Sequence, residues 1–292
     1  MKRQHDLHEL SGAELLERLD HTIDVDGLVG AHVRDPASAG VLLVGSLPAG
    51  AGTVFSDVDL LVLVANSAEL RADVDLRVRK DTVIEATEFI DGIEVGIQLV
   101  ARSAMTRPVR AFLDVAPLLY KPADLRALPW LEEPDIRLLA RLRNGVVLRR
   151  PDVVGRWRDE LYSTLLPMYL AVLHTYLGDQ HLERALAAAA STPRAKLGCR
   201  IAADHFLLAA LAVAGVTEPN LPVAATLAQR MGPEHGAVQL AVEIVLDGAP
   251  VSSDVVRLRT AVHERMVADE LFDRALAFLA GHKQLSIGVP PP

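Results

Sequence analysis

Two carboxylates spaced two residues apart, Asp57 and Asp59, carry the clearest chemistry in the chain. Asp59 runs straight into an apolar stretch, residues 60–64. Short branched runs bounded by turn residues form buried strands. Side chains two apart on a strand share a face, so the two carboxylates project side by side. Paired carboxylates repel unless a cation neutralises them. Hard oxygen ligands favour Mg²⁺ or Mn²⁺, which in turn holds phosphate oxygens.

The elements that must position this pair lie on either side of it. An upstream apolar run, residues 41–44, forms a first strand and stops at Gly45-Ser46. The loop that follows, residues 47–55, is the phosphate-binding candidate. Gly45, Gly50 and Gly52 admit positive φ and let backbone approach an anion. The N–H groups after Ser46 are placed to cradle a triphosphate, and Pro48 suits the first turn of a short helix.

A Gly-Ser after a first strand, about ten residues of loop, then Asp-hydrophobic-Asp-hydrophobic resembles the signature of the DNA polymerase β-like nucleotidyltransferase superfamily. Gly45, Ser46, Asp57 and Asp59 carry the resemblance. The nearest likeness is to small bacterial members, the aminoglycoside nucleotidyltransferases and minimal nucleotidyltransferases. It implies an α+β fold: a small mixed sheet with helices, followed by an all-α domain that closes over the nucleotide and forms the acceptor pocket. It also implies transfer of a nucleoside monophosphate, AMP from ATP, to a hydroxyl of a small-molecule acceptor. Mg²⁺ or Mn²⁺ would sit on Asp57 and Asp59, one ion clamping the triphosphate and a second activating the acceptor. Gly45, Ser46 and Ser56 would position the phosphates.

The third carboxylate of the superfamily comes from the strand beside the Asp-x-Asp strand. Close relatives place it where this chain has Gly96, and the acid available on that face is Glu94, one strand repeat (~6.6 Å) earlier. Glu94 is therefore the expected third acid, as metal ligand or general base. Many relatives also carry a basic residue where this chain has Ala49. These departures motivate one rival, a catalytically degenerate nucleotide-binding protein; a second is a toxin–antitoxin component acting on a protein or tRNA.

Elsewhere, Ser11 with Glu14 forms a capping box for a first helix. A second helix spans 25–33 and ends before Pro36. Residues 68–78 are predicted helical. Strands follow at 82–88 and 90–100, with a turn signal at Asp91-Gly92. A helix over 135–143, an Asn-Gly turn and a short strand resemble the end of the catalytic domain. Arg137, Arg141, Arg143, Arg149 and Arg150 make this region basic, able to meet phosphate charge or to form a solvated, ion-paired face.

From 153 onward the pattern is helical, with an apolar stripe at Trp157, Leu161, Leu165, Met168 and Val172. Helices are predicted at 196–214, 223–231, 237–246 and 253–280. Arg200-x4-His205 has the spacing of a HEPN ribonuclease motif, and we treat His205 as a packed histidine. The expected domains are 1–150, catalytic; 151–285, helical and acceptor-binding; and 286–292, a frayed tail.

Half of the 292 residues are hydrophobic, enough for a sizeable core. The net charge of −8 argues against a broad nucleic-acid surface. A single cysteine, Cys199, excludes an internal disulfide. The first residues lack an apolar signal core, and the expected location is the cytoplasm, with no membrane partner.

Overall fold

The computed structural model describes residues 23–49, 57–71, 77–79, 83–90, 92–105, 108, 131–160, 166–218, 220–246 and 248–268. The helix expected at Ser11, residues 50–56 with Ser56, Asp91, Leu161, Leu165, the segment beyond 268 and the tail 286–292 lie outside them. The chain divides into two compact units: Met1–Phe112 with Leu131–Ser163, and Leu113–Trp130 with Thr164–Pro292.

The first unit is built on a mixed sheet. Its strands are β1 Gly40–Val44, β2 Val58–Val64, β3 Arg77–Arg79, β4 Val83–Ile90, β5 Ile93–Ala101 and β6 Val146–Arg149. They lie in the order β3-β4-β5-β2-β1-β6. β2 and β5 run parallel, and the other neighbours pair antiparallel. Gly92, at φ +82°, reverses the chain between β4 and β5, so Ile90 pairs with Ile93.

Period-two alternation decides what each face buries. Val41 and Leu43, Val58, Leu60, Val62 and Val64, and Ile93, Val95, Ile97 and Leu99 share one core. Helix α1, Val25–His32, contributes Val25, Leu28 and Val29 to it. Asp24 caps α1 by accepting a hydrogen bond from the Gly27 N–H at 2.9 Å. Each large side chain so buried contributes roughly 1.5–3 kcal/mol. On the opposite face, Leu42, Leu61 and Leu63 are also buried. There Val44 and Leu42 lie against Gly145, just past helix α2, Glu133–Asn144. Helix α3, Pro151–Glu160, packs on β1 through Val153 and Val154 beside Gly40.

The expected helix over 68–78 is not seen at its described residues, 68–71 and 77–78. Residues Ser67–Glu69 make one 3₁₀ turn, capped where Asn66 accepts from the Ala68 N–H. Leu70 then bridges to Val33, and Arg77–Arg79 is an edge strand paired with β4. A β-branched residue between two charges suits an edge strand, and the polar composition hid it.

The second unit is helical: α4 Leu166–Leu186, α5 Pro193–Val213, α6 Leu221–Arg230, α7 Gly236–Leu246 and α8 Ser252–Ala268. α5 packs along α4, with Gly178 admitting the Phe206 ring against the α4 backbone. Its start precedes the predicted one by a turn, because Thr192 accepts from the Ala195 N–H at 3.2 Å and Pro193 opens the helix. Phe206, Leu207, Ala224, Val238, Ala241, Leu258 and Val262 form its core. Among the described residues no helix is long and apolar enough to cross a membrane.

Candidate active site

Asp59 lies at the centre of the sheet near the start of β2. Its backbone neighbours are Val44 on β1 and Gly96 on β5. The carboxylate fills the space that side chains would take on both sides. A Cβ added to Gly45 would collide with Asp59 Oδ2, and one on Gly96 would come within 3.0 Å of Oδ1. Gly45 also sits at φ +84°, a conformation that L side chains rarely adopt. Glycine at 45 is thus required twice, by backbone conformation and by room for the acid.

Neighbouring registers place further polar groups on the same face. Asp57, just before β2, has the parity of Asp59 and is exposed. Glu94 and Gln98 flank Gly96 on β5 at two-residue intervals. Glu85 of β4 is paired with Gln98, and Phe89 with Glu94. From α2, Arg141 donates from Nη1 to Gln98 Oε1 at 3.1 Å.

The electrostatics follow from this crowding. Burial pushes the Asp59 carboxyl from its usual 3.8 up to about 6, opposed by the positive charge of Arg141 and reinforced by Asp57, Glu94 and Glu85. Among the described residues, no three His, Cys, Asp or Glu side chains are grouped closely enough to hold a metal ion by themselves. Two carboxylates suffice for Mg²⁺, which usually takes one or two from protein and the rest of its shell from phosphate and water. Asp57 and Asp59, side by side and with Asp59 half-desolvated, fit such an ion.

The structure therefore brings Gly45, Asp57, Asp59 and Glu94 to one end of one sheet face, and Ser46 follows Gly45 directly. Ser56 lies outside the described residues. Gly96 is the residue directly opposite Asp59, with Glu94 one repeat away.

The five arginines of the basic stretch separate. Arg137 pairs with Glu133, Arg149 with Asp26 at 3.0 Å, and Arg150 with Asp152 at 2.9 Å. Arg143 donates to Asn144. Arg141 alone of the five reaches Asp59 electrostatically. Sequence reasoning did not single out Arg141, Gln98 or Glu85. The turn at Gly92 held the signal for the last two, since an Ile90–Ile93 pairing counts back to Glu85 opposite Gln98.

In the helical unit, Arg200 pairs with Asp204 at 3.2 Å and donates to the Val245 carbonyl at 2.7 Å. His205 Nδ1 lies 3.2 Å from His174 Nδ1, and His181 also stacks on His205. The Arg200-x4-His205 spacing thus serves packing.

No family model matches the chain, and no curated protein matches it. Among solved structures, the chain is similar to a nucleotidyltransferase-like protein from Exiguobacterium sibiricum 255-15. The two share 14% identity over 89% of this chain and 78% of that one, with a TM-score of 0.34. A likeness of that size fixes neither activity nor ligand.

Proposed function

We propose that this chain is a Mg²⁺-dependent nucleotidyltransferase that moves a nucleoside monophosphate, AMP from ATP, to a hydroxyl of a small-molecule acceptor. The observation that carries the reading is the Asp59 carboxylate, clasped between Gly45 and Gly96 beside Asp57, with Glu94 and Glu85 adding like charge. An acid so placed is costly until a cation meets it.

Asp57 and Asp59 would hold the ion. When bound, a divalent ion neutralises phosphate charge and orients the triphosphate for in-line displacement. Gly45 and Ser46 bring backbone N–H groups to the phosphates. The acceptor oxygen attacks the α-phosphorus, forming one P–O bond. The bond to the bridging oxygen breaks and pyrophosphate leaves. Glu94, exposed and on the same face, takes the acceptor proton as general base. The acidic net charge and the absence of a basic arm favour a small acceptor over nucleic acid. Function in the cytoplasm, with the sheet unit as catalytic domain and the helical unit as acceptor domain, completes the proposal.

A second reading, a nucleotide-binding protein without turnover, is motivated by Gly96 directly opposite Asp59, where a third carboxylate would stand.

Calorimetric titration with a non-hydrolysable ATP analogue, with and without Mg²⁺, tests both. Mg²⁺-dependent binding by the natural chain, lost in Asp57→Asn/Asp59→Asn, is expected. Pyrophosphate release in an acceptor screen then separates enzyme from sensor. No nucleotide binding by the natural chain overturns both readings.

A further inference from the structure

We propose that Arg141 stands in for a second metal ion, so that the site takes one divalent ion on Asp57 and Asp59 and a guanidinium supplies the remaining positive charge. This inference rests on the nucleotidyltransferase reading.

Three observations carry it. The first is placement. Gln98 follows Gly96 by one strand repeat on the same face of β5, and Gly96 is paired with Asp59. The 3.1 Å bond from Arg141 Nη1 to Gln98 Oε1 therefore fixes the guanidinium on the acid face, where its charge acts on Asp59. α2 is seated on the sheet where Gly145 meets Leu42 and Val44, so the charge arrives from a packed helix.

The second observation is partnership. Among the described residues Arg141 forms no ion pair within 4.0 Å, whereas Arg137, Arg149 and Arg150 each pair with a carboxylate outside the acid face. Gln98 is neutral and occupies one donor, so the rest of the fork can receive phosphate oxygens. Guanidinium geometry matches phosphate in a bidentate manner.

The third observation is the ligand count. No three carboxylate or imidazole groups among the described residues close round one ion. Two ions would have to share Asp57 and Asp59 and lie beside a fixed positive charge. One ion with Arg141 meets the same phosphate charge without that repulsion.

Counting bound Mn²⁺ by electron paramagnetic resonance, at saturating non-hydrolysable ATP analogue, tests the inference. One Mn²⁺ per chain is expected for the natural protein and for Arg141→Lys, which keeps the charge. Arg141→Gln should admit a second, weaker Mn²⁺ and bind the analogue roughly tenfold less tightly, the scale of one charge-assisted hydrogen bond. Gln98→Ala should weaken the analogue less and leave the count at one. Two Mn²⁺ in the natural protein, or one in Arg141→Gln, overturns the inference. Should Arg141→Gln not fold, the counts for the natural protein and Arg141→Lys decide it. An analogue that binds without any Mn²⁺, or does not bind, sinks the underlying reading instead.

Discussion

Both units desolvate titratable groups, and they resolve the cost in opposite ways. In the helical unit, burial drives His174 down to about 3 and His205 down to about 4. Both rings are then neutral at pH 7, and one Nδ1–H donates to the other Nδ1. That arrangement is complete without a ligand. In the sheet unit, burial raises Asp59 only to about 6, so the carboxylate is mostly ionised at pH 7, with Arg141 opposing the like charges of Asp57, Glu94 and Glu85. That arrangement needs a cation. A desolvated group that can neutralise itself belongs to the scaffold, and one that stays charged among like charges points to a binding site.

The sharpest way to break the contrast is Asp59→Asn. Mg²⁺-dependent nucleotide binding and transfer should fall by at least ~10²-fold, the scale of losing one preorganised electrostatic partner. Stability should move the other way. A folded-state carboxyl raised above its unfolded value favours the protonated form, so metal-free stability is lost as pH rises from about 4 through about 6. At pH 8 the variant removes that penalty and should gain up to ~3 kcal/mol in denaturant titrations. At pH 4 it should gain little. Equal effects at both pH values would show that charge is not the cause.

Acid should break the helical side. The histidines have folded values below their usual 6.5, so the unfolded chain takes up protons that the folded pair refuses. Stability is full above about 6.5 and is lost as pH falls. Partial exposure discounts the loss to ~2 kcal/mol by pH 5. The double variant His174→Gln/His205→Gln should flatten this slope in denaturation curves at pH 7 and pH 5. A slope unchanged by the variant would place the acid sensitivity elsewhere, for instance at buried His32.

Gly45 and Gly96 sharpen the sheet side. Gly45→Ala should cost ~1–2 kcal/mol through its positive φ and also displace Asp59. Gly96→Ala has no such backbone cost, but its Cβ would press Asp59 Oδ1 at 3.0 Å. It should weaken Mg²⁺-dependent binding more than it lowers the melting temperature. The reverse ranking would mean that the Asp59 position matters to the fold alone.

The strands around Asp59 were legible because their signals are local: apolar runs with period two, a Gly-Ser stop and an Asp-Gly turn. The pair Asp57 and Asp59 was legible for the same reason. Arg141 was legible only as one of five arginines, because its particular relevance depends on α2 lying over β1 and on Gln98 facing it, both products of tertiary packing. Arg77–Arg79 was missed because an edge strand is defined by a partner, here β4, and not by its own composition. The boundary of α5 was written in Thr192-Pro193, a cap followed by a first-turn proline, a turn before the apolar periodicity begins.

The smallest effect provides the control. Thr192 caps α5 through one bond to the Ala195 N–H, and Thr192→Ala should cost ~1 kcal/mol. A cap acts through local backbone satisfaction, so its loss should be the same with and without Mg²⁺ and nucleotide. Asp59→Asn should instead change sign between those conditions, since ligand binding stabilises the natural chain by mass action and cannot rescue the variant. If the Thr192→Ala cost also depended on Mg²⁺, the cation would be acting on the helical unit, and the division between a self-sufficient scaffold and a cation-dependent site would fail.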